Sequence, residues 1–570
     1  MRVHRLLCVL CVLCGSSFFA LALDREAFTI TKYDLQIQLE PEQHRLGARG
    51  KVTLRNDSAQ PQKNAVLQIC SSLDWRSIKI AGKLVQFVSQ PYASAIDHTG
   101  SLSEAIVALP AEIKPKDSIE IEIGYEGTIA LDTTRLTDIG VPDQIARRTS
   151  WDQISSSFTA VRGAGYVAWY PIATESADFS EGNSMFQVIN RWKAREAESE
   201  FRASLNLPGE GSEGPPALLC GGGGGSYSAE FGRHFSLRSD CNYQRLGLVI
   251  PTIVVARYAS LENSVMTQFV LAGHETGAAK YSAAFDPASK FVTGWFGQPQ
   301  LPVTIADLPG EASPFESRTL LLTSLASPET KQVGTSLVHE LVHAAFSSPR
   351  PWIDEGLAHF AEAIYRENQE GRPSAIVFMS LHRAAFVESE NEVPASPKGD
   401  PGQPLATTFD EAYYRSKSAY VWWMLRDMVG GDALKQAIHN YRAADDNDPK
   451  YVEQLVEASA RRDLSWFFDD WVYHDRGLPD FRVQAAHPWK DEKGVQILTV
   501  TIENLGSAGA EVPLAIHFAD GVVVRRLEVR AKSTVTTRIE VPGTATRIVV
   551  NDGSVPESNL DNNIFKLPTP

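Results

Sequence analysis

Apolar and polar positions alternate along the N-terminal part of the chain, from Phe28 to about Ala130. Residues 33–39 alternate with a period of two, as do residues 118–123. The shorter runs 51–54 and 65–69 are also rich in β-branched and apolar residues. This period places apolar side chains on one face of a sheet and polar side chains on the other. The pattern therefore predicts an all-β N-terminal domain with one solvated face.

The pattern is mixed between residues 132 and 202, where aromatic residues interrupt the alternation. We interpret residues 168–172 as the end of an aromatic strand, and residues 186–192 and 203–208 as further strands. A segment rich in Gly, Pro and Ser then runs from about 208 to 226. Its glycines are followed by no Lys-Ser/Thr pair or helix start, so they indicate a surface loop and not a phosphate cradle.

Strands resume at residues 247–256, 301–305 and 318–323. From Val333 to about Arg476 the apolar spacing becomes mostly helical. One helix is predicted over residues 409–429, where Gly430 and Gly431 provide a C-terminal stop. An aromatic helix is predicted over residues 465–472.

Short, regularly spaced strands return after Phe481. This spacing is typical of a small immunoglobulin-like β-sandwich. The predicted strands are residues 495–502, 510–518, 522–529, 535–541 and 546–550.

The chain of 570 residues is too long for one hydrophobic core, so several domains are expected. The patterns predict a multidomain α+β protein. We assign residues 1–22 to a signal peptide and residues 23–246 to the N-terminal β-rich domain, which includes the Gly-rich loop near 208–226. Residues 247–480 form a mostly helical domain, and residues 481–570 form the C-terminal β-sandwich.

The first 22 residues have the organisation of an export signal. Residues 1–5 are basic, residues 6–19 are apolar, and Ala20-Leu21-Ala22 is a small-x-small cleavage site. The apolar run is too short for a membrane span, and no second long apolar run follows. We therefore expect an exported protein, periplasmic or extracellular, with no membrane span once the signal is removed.

The net charge of -15 argues against a nucleic-acid partner, which would require a basic surface. An acidic surface otherwise serves solubility and identifies no partner. The oligomeric state stays open at this stage.

Three of the six cysteines, at positions 8, 11 and 14, lie within the signal. An oxidising compartment permits a disulfide, and Cys220 with Cys241 is the nearer remaining pair. Cys70 would then be a buried free thiol. The alternative that no cysteine is bridged remains equally open.

Residues 337–346 contain two histidines four positions apart in an otherwise apolar run, with Glu340 beside the first. On a helix, positions i and i+4 share a face, with Cβ atoms roughly 5–6 Å apart. His339 and His343 can therefore bind one zinc ion, and Glu340 can activate a water there. The alternative is a structural core helix that binds no metal. Such a helix would bury two imidazoles and a carboxylate at a high cost in free energy, so the metal interpretation is favoured.

A hydrolytic zinc site takes three protein ligands and keeps a fourth position for water. Downstream, residues 351–362 contain the carboxylates Glu355 and Glu362. Seven residues of helix separate them by about 10.5 Å along the axis, so they cannot both bind one ion directly. One is a ligand and the other supports the site, unless Glu355 is only an exposed carboxylate at a helix start.

The HExxH motif is followed by Trp-x-x-Glu-Gly-x-Ala-x-x-x-Glu, from Trp352 to Glu362. This combination resembles the zinc aminopeptidases of the aminopeptidase N and leukotriene hydrolase type, within the gluzincins. The resemblance implies one Zn²⁺ ion, a thermolysin-like catalytic domain, Glu355 as the third ligand and Glu362 as its support. Only eleven residues separate His343 from Glu355, whereas the family's eighteen would end at Glu362. We keep Glu362 as the fallback ligand and favour Glu355, because a loop can shorten while the helix motif stays whole.

The resemblance also implies a tyrosine that stabilises the oxyanion, just before a Lys-Gly-Ala helix start. Residues 417–419 match that start, with Ser418 in place of glycine. Counting back from it gives Arg415. We therefore choose the adjacent Tyr414, with Tyr413 as the alternative, and an ordinary tyrosine packed at a helix edge also stays open.

An aminopeptidase of this type holds the substrate's free amine with a Gly-x-Met-Glu-Asn strand before the metal helix. Residues 312–317 lie at about the right distance, and Glu316 stands near the expected position, although the glycine, methionine and asparagine are absent. An exposed glutamate on a strand edge is the alternative. The sequence thus supports a zinc-dependent metallopeptidase acting on peptides or proteins more firmly than an aminopeptidase. An endopeptidase of the same chemistry and a catalytically silent binding protein that retains the fold remain alternatives.

Overall fold

The computed structural model describes residues 23–567, except for ten short gaps. These gaps are residues 182–183, 211–214, 223–226, 232–233, 263–265, 300–301, 327–329, 393–402, 491 and 493. The predicted signal peptide, residues 1–22, lies outside the described residues, and so does part of the Gly-rich loop.

The N-terminal region is built on an eight-stranded sheet. Its central strand, β1 (Phe28–Glu40), pairs antiparallel with β2 (Arg45–Asn56) and parallel with β10 (Glu200–Glu210). Buried and exposed side chains alternate along most of β1, which confirms the predicted solvated face. The other strands are β4 (Leu73–Ile80), β5 (Lys83–Leu84), β8 (Ser118–Thr128), β12 (Tyr227–Phe231) and β13 (His234–Tyr243). The sheet order is β12-β13-β10-β1-β2-β8-β4-β5.

Two three-stranded sheets complete the N-terminal region. The first contains β3 (Gln62–Cys70), β6 (Phe87–Ala93) and β7 (Ser101–Ile113), in the order β3-β7-β6. The second contains β9 (Phe158–Val161), β11 (Ala217–Cys220) and β14 (Ile253–Ala256), in the order β11-β14-β9. The predicted strand at 247–256 is therefore limited to its last four residues.

Three helices interrupt this region: α1 (Thr134–Thr137), α2 (Asp143–Thr149) and α3 (Ser184–Glu196). The prediction of a strand at 186–192 was wrong, since these residues lie within α3. The buried residues of this helix follow helical spacing: Met185, Val188, Ile189 and Trp192. The sequence therefore contained a helical pattern of apolar positions, although its aromatic residues resemble those of a strand. Residues 168–172 form no regular strand; Ile172 makes only an isolated bridge to Gln68.

The end of α3 is joined to the central sheet by a buried hydrogen bond. The hydroxyl of Tyr33, on β1, donates to Glu196 Oε2 at 2.6 Å. Both side chains are buried completely. This contact fixes where α3 lies relative to the N-terminal sheet.

The middle region contains a five-stranded sheet and most of the helices. Its strands are β15 (Ala259–Glu262), β16 (Met266–Val270), β17 (Val303–Asp307), β18 (Phe315–Ser317) and β19 (Leu320–Thr323). The order is β15-β16-β17-β19-β18. The strands β16, β17 and β19 are parallel, and β18 pairs antiparallel with β19 at one edge of the sheet.

The helices of this region agree with the predicted helical stretch from Val333, except that α4 was not predicted. They are α4 (Glu275–Phe296), α5 (Thr330–Ala345), α6 (Pro351–Glu370), α7 (Arg372–Glu392), α8 (Ser418–Val429), α9 (Gly431–Asn440), α10 (Tyr451–Ala460) and α11 (Ser465–Phe468). Ala412–Lys417 and Asp469–Tyr473 are π-helical. Gly430 ends α8 with a φ of 86°, as predicted. None of the helices in the described part of the chain combines the length and the apolar character needed to cross a membrane.

The C-terminal strands form two packed sheets, which confirms the predicted β-sandwich. The strands are β20 (Phe481–Lys490), β21 (Gln496–Asn504), β22 (Ala510–Phe518), β23 (Gly521–Val529), β24 (Thr534–Glu540), β25 (Arg547–Val550) and β26 (Ile564–Lys566). The sheet orders are β20-β21-β24 and β23-β22-β25-β26. The chain is thus a multidomain α+β protein with an N-terminal β-rich region, a helical middle and C-terminal sheets.

The disulfide that the sequence left open is present. Cys220 on β11 is bonded to Cys241 on β13, and Cys70 is a buried free thiol. Beyond Cys220 the chain turns in close contact with its surroundings, since a Cβ at Gly221 would lie 2.3 Å from the Ser317 carbonyl oxygen. The disulfide therefore lies beside the edge strand β18.

Replacing Glu196 with Gln should flatten the pH dependence of stability. Burial raises the pKa of Glu196 from 4.5 to about 7, although Arg195 and the Tyr33 hydrogen bond oppose the shift. The folded state therefore binds this proton more tightly, and its contribution is full below pH 4.5 and lost as the pH rises through 7. Across that interval the free energy of unfolding of the wild-type protein should fall by up to about 3 kcal/mol. The Gln variant should not show this fall. Urea unfolding at pH 5 and pH 8 measures this difference. An equal change in unfolding free energy between the two pH values for both proteins would contradict it.

Candidate metal centre

The helix α5 presents its two histidines on one face because its other positions form the core. Leu337, Val338, Leu341 and Val342 are each at most 1% exposed. This burial sets the rotation of the helix about its axis, so that both imidazoles face open clefts, His339 one cleft and His343 another. The ring centroids of His339 and His343 are 5.0 Å apart. The structure thus brings the two predicted ligands together.

Three buried atoms at this site have no hydrogen-bond partner among the described residues. They are His339 Nδ1, His343 Nε2 and Glu355 Oε2. Buried polar atoms normally have partners, so these three require an explanation. Imidazole nitrogen and carboxylate oxygen are the donors that a hydrolytic zinc ion takes. The residues present therefore fit a zinc ion.

Three carboxylates approach the two histidines. Glu355 Oε1 lies 3.9 Å from His343 Nε2, and Glu362 Oε2 lies 3.8 Å from His339 Nδ1. A carboxylate oxygen of Glu316 lies within 4.8 Å of a nitrogen of each histidine. Glu362 Oε2 already accepts a hydrogen bond from His359 Nδ1 at 2.8 Å, whereas Glu355 Oε2 has no hydrogen-bond partner among the described residues and lies 3.5 Å from Arg415 Nε. Glu355 therefore stays the predicted ligand and Glu362 its predicted support.

The Glu-Gly pair at the start of α6 is explained by close helix packing. A Cβ at Gly356 would lie 2.3 Å from Ser418 Oγ, so glycine is needed for α6 to approach the start of α8. One turn away, the rings of Trp352 and Trp422 stack 5.4 Å apart. These contacts position Glu355 beside α5.

Asp354 orients His343, a role that sequence reasoning missed. Its Oδ2 lies 3.4 Å from His343 Nδ1, and its Oδ1 accepts a hydrogen bond from the Ser348 amide at 2.8 Å. Burial opposes the positive charge on His343, but Asp354 and Glu355 outweigh it and raise the pKa of His343 to about 10. A carboxylate behind a histidine ligand fixes the ring and makes it a stronger donor. The signal available in the sequence was the carboxylate directly preceding Glu355.

His359 was also missed, and it connects Glu362 to Arg415. Arg415 Nε donates to His359 Nε2 at 3.1 Å, and His359 Nδ1 contacts Glu362 Oε2 at 2.8 Å. The His359 ring lies 4.7 Å from the His339 ring. Arg415 also lies 3.5 Å from Glu355. The signal was helical spacing, since position 359 follows 355 by four and precedes 362 by three.

Glu340 faces the cleft from a buried position. It is 4% exposed, and Tyr281 on α4 donates its hydroxyl hydrogen to Glu340 Oε2 at 2.9 Å. Burial raises the pKa of Glu340 to about 8, although the hydrogen bond from Tyr281 opposes the shift. A carboxyl with a pKa near neutrality is suited to proton transfer.

The structure separates the two candidate tyrosines. Tyr414 lines the cleft with Glu316 and Glu355, whereas Tyr413 is fully buried with its ring 5.3 Å from Lys417 Nζ. Both lie on a π-helical turn, which holds more residues per turn than an α-helix. The Ser418 hydroxyl donates to the Tyr414 carbonyl oxygen at the end of this turn.

Glu316 lies on the edge strand β18, next to the histidines. The strand is fixed by the neighbouring Ser317, whose hydroxyl lies 3.2 Å from the Tyr243 hydroxyl and donates to the Ile250 carbonyl at 2.8 Å. The predicted site residues thus lie along two adjoining clefts: His339, Glu340 and Glu362 line one, His343 lines the other, and Glu316, Glu355 and Tyr414 line both.

No protein-family model matches the chain, and no curated protein matches it. Among solved structures, the chain is similar to the M1 zinc metallopeptidase from Deinococcus radiodurans. A mutant of that protein aligns with 16% identity and a TM-score of 0.49, over 80% of this chain and 96% of the other. A second structure of it gives 17% and 0.48, and a mutant bound to a Tyr-Ser-Ala substrate gives 16% and 0.48, with the same coverage. Identity this low leaves the chemistry to be argued from the residues of this chain.

Substituting each carboxylate with Gln should separate the ligand from its neighbours. Glu355→Gln should weaken zinc binding by more than about a hundredfold, because a charged ligand is lost. Glu362→Gln should weaken it by about 10–100-fold, as expected for a residue that acts through a histidine. Glu316→Gln should retain zinc. Competition with a chelator, read by elemental analysis, measures these affinities, and a larger loss for Glu362→Gln than for Glu355→Gln would reverse the assignment.

Proposed function

We propose that the protein is an exported zinc-dependent metallopeptidase that hydrolyses peptide bonds and acts as an aminopeptidase. The observation that carries this proposal is the arrangement at α5. Two histidines and Glu355 offer partnerless buried donor atoms beside the buried carboxyl of Glu340. We further propose that the chain is a divergent member of the gluzincins, on the strength of its HExxH and Trp-x-x-Glu-Gly motifs.

His339, His343 and Glu355 would hold the zinc ion. When bound, zinc polarises the scissile carbonyl and lowers the pKa of water towards about 7. Glu340 is positioned to accept a proton from the attacking water and to deliver it to the leaving amine. Tyr281 orients the Glu340 carboxyl for this transfer through its hydrogen bond.

Tyr414 is assigned to the stabilisation of negative charge on the substrate carbonyl. Its side chain lines the cleft close to Glu355, and burial raises the pKa of its hydroxyl well above the usual range. The hydroxyl therefore keeps its proton and can donate a hydrogen bond. A positioned donor of this kind contributes about 10²–10³ in rate.

Aminopeptidase action is supported by the position of Glu316. A substrate's free amine needs a carboxylate close to the reacting bond, and Glu316 lies within 4.8 Å of both motif histidines at their nearest ligand atoms. No described side chain forms a hydrogen bond or ion pair with its carboxylate. Glu316 is therefore the residue assigned to bind the amine.

Endopeptidase action is the alternative, because clefts open on two sides of the histidines. One cleft is lined by His339 and Glu340, and the other is lined by His343. A chain that continues past both sides of the scissile bond could occupy them together.

Glu340→Gln should reduce peptide hydrolysis at least about a hundredfold while zinc content stays at the wild-type level, because the base is lost and the ligands remain. The substrates are aminoacyl-naphthylamides, and internally quenched peptides with blocked N-termini. Unchanged hydrolysis in the variant would contradict the mechanism. Activity confined to blocked peptides would replace the aminopeptidase with the endopeptidase. Zinc binding without hydrolysis of either class would favour a silent binding protein.

Tyr414→Phe should lower kcat about 10²–10³-fold with little change in KM, because its hydroxyl acts on the transition state. Tyr413→Phe is the matched control, since Tyr413 lies in the core and does not line the clefts. The control should keep kcat within about twofold. A larger loss for Tyr413→Phe than for Tyr414→Phe would exchange the two assignments.

A further inference from the structure

The helix α3 of the N-terminal region forms a wall common to both clefts beside the metal centre. The cleft that contains His339 and Glu340, here called the first cleft, has a volume of about 510 Å³. The cleft that contains His343, here called the second cleft, has a volume of about 260 Å³. Asn190 and Lys193 of α3 line both clefts. The helix therefore lies along any peptide that crosses the metal centre.

Asn190 has a buried donor without a protein partner. The residue is 6% exposed, and its Nδ2 makes no hydrogen bond to a described residue. The Asn190 amide faces Tyr414 and lowers the pKa of that hydroxyl, against the larger effect of burial. An unpartnered buried amide is costly, and a peptide carbonyl would satisfy it.

The first cleft offers an apolar surface to a substrate side chain. Phe186 of α3 lines it and is 37% exposed. Tyr166, Phe179, Met185 and Ile189 line the same cleft. This surface suits an apolar or aromatic side chain.

The second cleft contains two cations without an ion-pair partner among the described residues, Lys193 and Arg318. A third cation, Arg245, is paired with Glu198. Of the carboxylates that line this cleft, Asp354 contacts His343 and Glu355 contacts Arg415, while Glu316 is assigned above to the substrate's amine. The two free cations are therefore available to a ligand.

The backbone of Arg318 adds a second sign of function. It has a φ of 61°, in the left-handed region that non-glycine residues rarely adopt, and it forms the turn between β18 and β19. Backbone conformations of this kind cluster at active sites and ligand clamps. The turn holds Arg318 in the second cleft, two residues after Glu316.

We propose that α3 and Arg318 select peptides that carry a carboxylate on the second-cleft side of the scissile bond. Asn190 binds the peptide main chain, the first cleft takes an apolar residue, and Lys193 with Arg318 binds the carboxylate. The carboxylate is either the peptide's C-terminus or an acidic side chain. This selectivity rests on the peptidase function proposed above.

The test uses zinc-loaded full-length protein and two peptide series. The first series is Phe-Gly, Phe-Gly-Gly and Phe-Gly-Gly-Gly, each as a free acid and as a C-terminal amide. The second series replaces single glycines of the amidated peptides with Glu or Gln. We expect one peptide length, or one substituted position, at which the peptide with the carboxylate has a kcat/KM about tenfold above that of the matching amide or Gln peptide. A charge-assisted hydrogen bond gives a difference of this size. A preference confined to acid over amide identifies the C-terminus, and one confined to Glu over Gln identifies a side chain.

The variants Lys193→Gln and Arg318→Gln, singly and together, should reduce this preference, and the double variant should bring it within about twofold of unity. Lys290→Gln is the matched control, because Lys290 is exposed and pairs only with Asp286 one turn away. The control should keep the wild-type preference. Zinc content and thermal unfolding of each variant distinguish loss of selectivity from loss of fold.

Equal kcat/KM for all carboxylate and neutral pairs, with hydrolysis intact, would overturn the selectivity while leaving the peptidase function standing. A preference that survives in the folded double variant would also overturn it. Absence of hydrolysis for every peptide would instead overturn the peptidase function, so the two failures are distinguishable.

Discussion

The burial of charged groups beside α5 is the constraint on which the rest of the centre depends. Glu340, Glu355 and Glu362 lie close to His339 and His343, and all are largely removed from water. Each isolated ion in such a setting costs several kcal/mol, which pairing must offset. Glu362 is paired through His359, whereas Glu355 and the two motif histidines keep atoms without a hydrogen-bond partner among the described residues. A divalent cation between them would supply that partner.

Helix packing turns that constraint into a defined geometry. Gly356 lets α6 approach the start of α8, where the Ser418 hydroxyl donates to the Tyr414 carbonyl of the π-helical turn that carries Tyr414 and Arg415. The same approach sets Glu355 against α5. One small residue thus couples the position of the proposed third ligand to the position of the proposed oxyanion donor. A larger side chain at that position would move both groups together.

The N-terminal region contributes to the centre as well as to the fold. The hydrogen bond from Tyr33 to Glu196 holds α3 against β1. In this position α3 places Asn190 and Lys193 at the clefts. The turn after the Cys220–Cys241 disulfide packs against β18, the strand that bears Glu316. Residues far from the HExxH motif in sequence therefore form the wall opposite it.

The sequence by itself determined the order of β-rich, helical and β-sandwich regions, because apolar residues recur every two positions in strands and about every 3.6 positions in helices. It also determined the pairing of His339 with His343, since positions four apart on one helix must share a face. Only the tertiary structure distinguishes Tyr413 from Tyr414, because it buries the first in the core and places the second at the clefts. The roles of Asp354 and His359 and the place of α3 were likewise decided there. These depend on contacts between elements far apart in the chain, and no local pattern records such contacts.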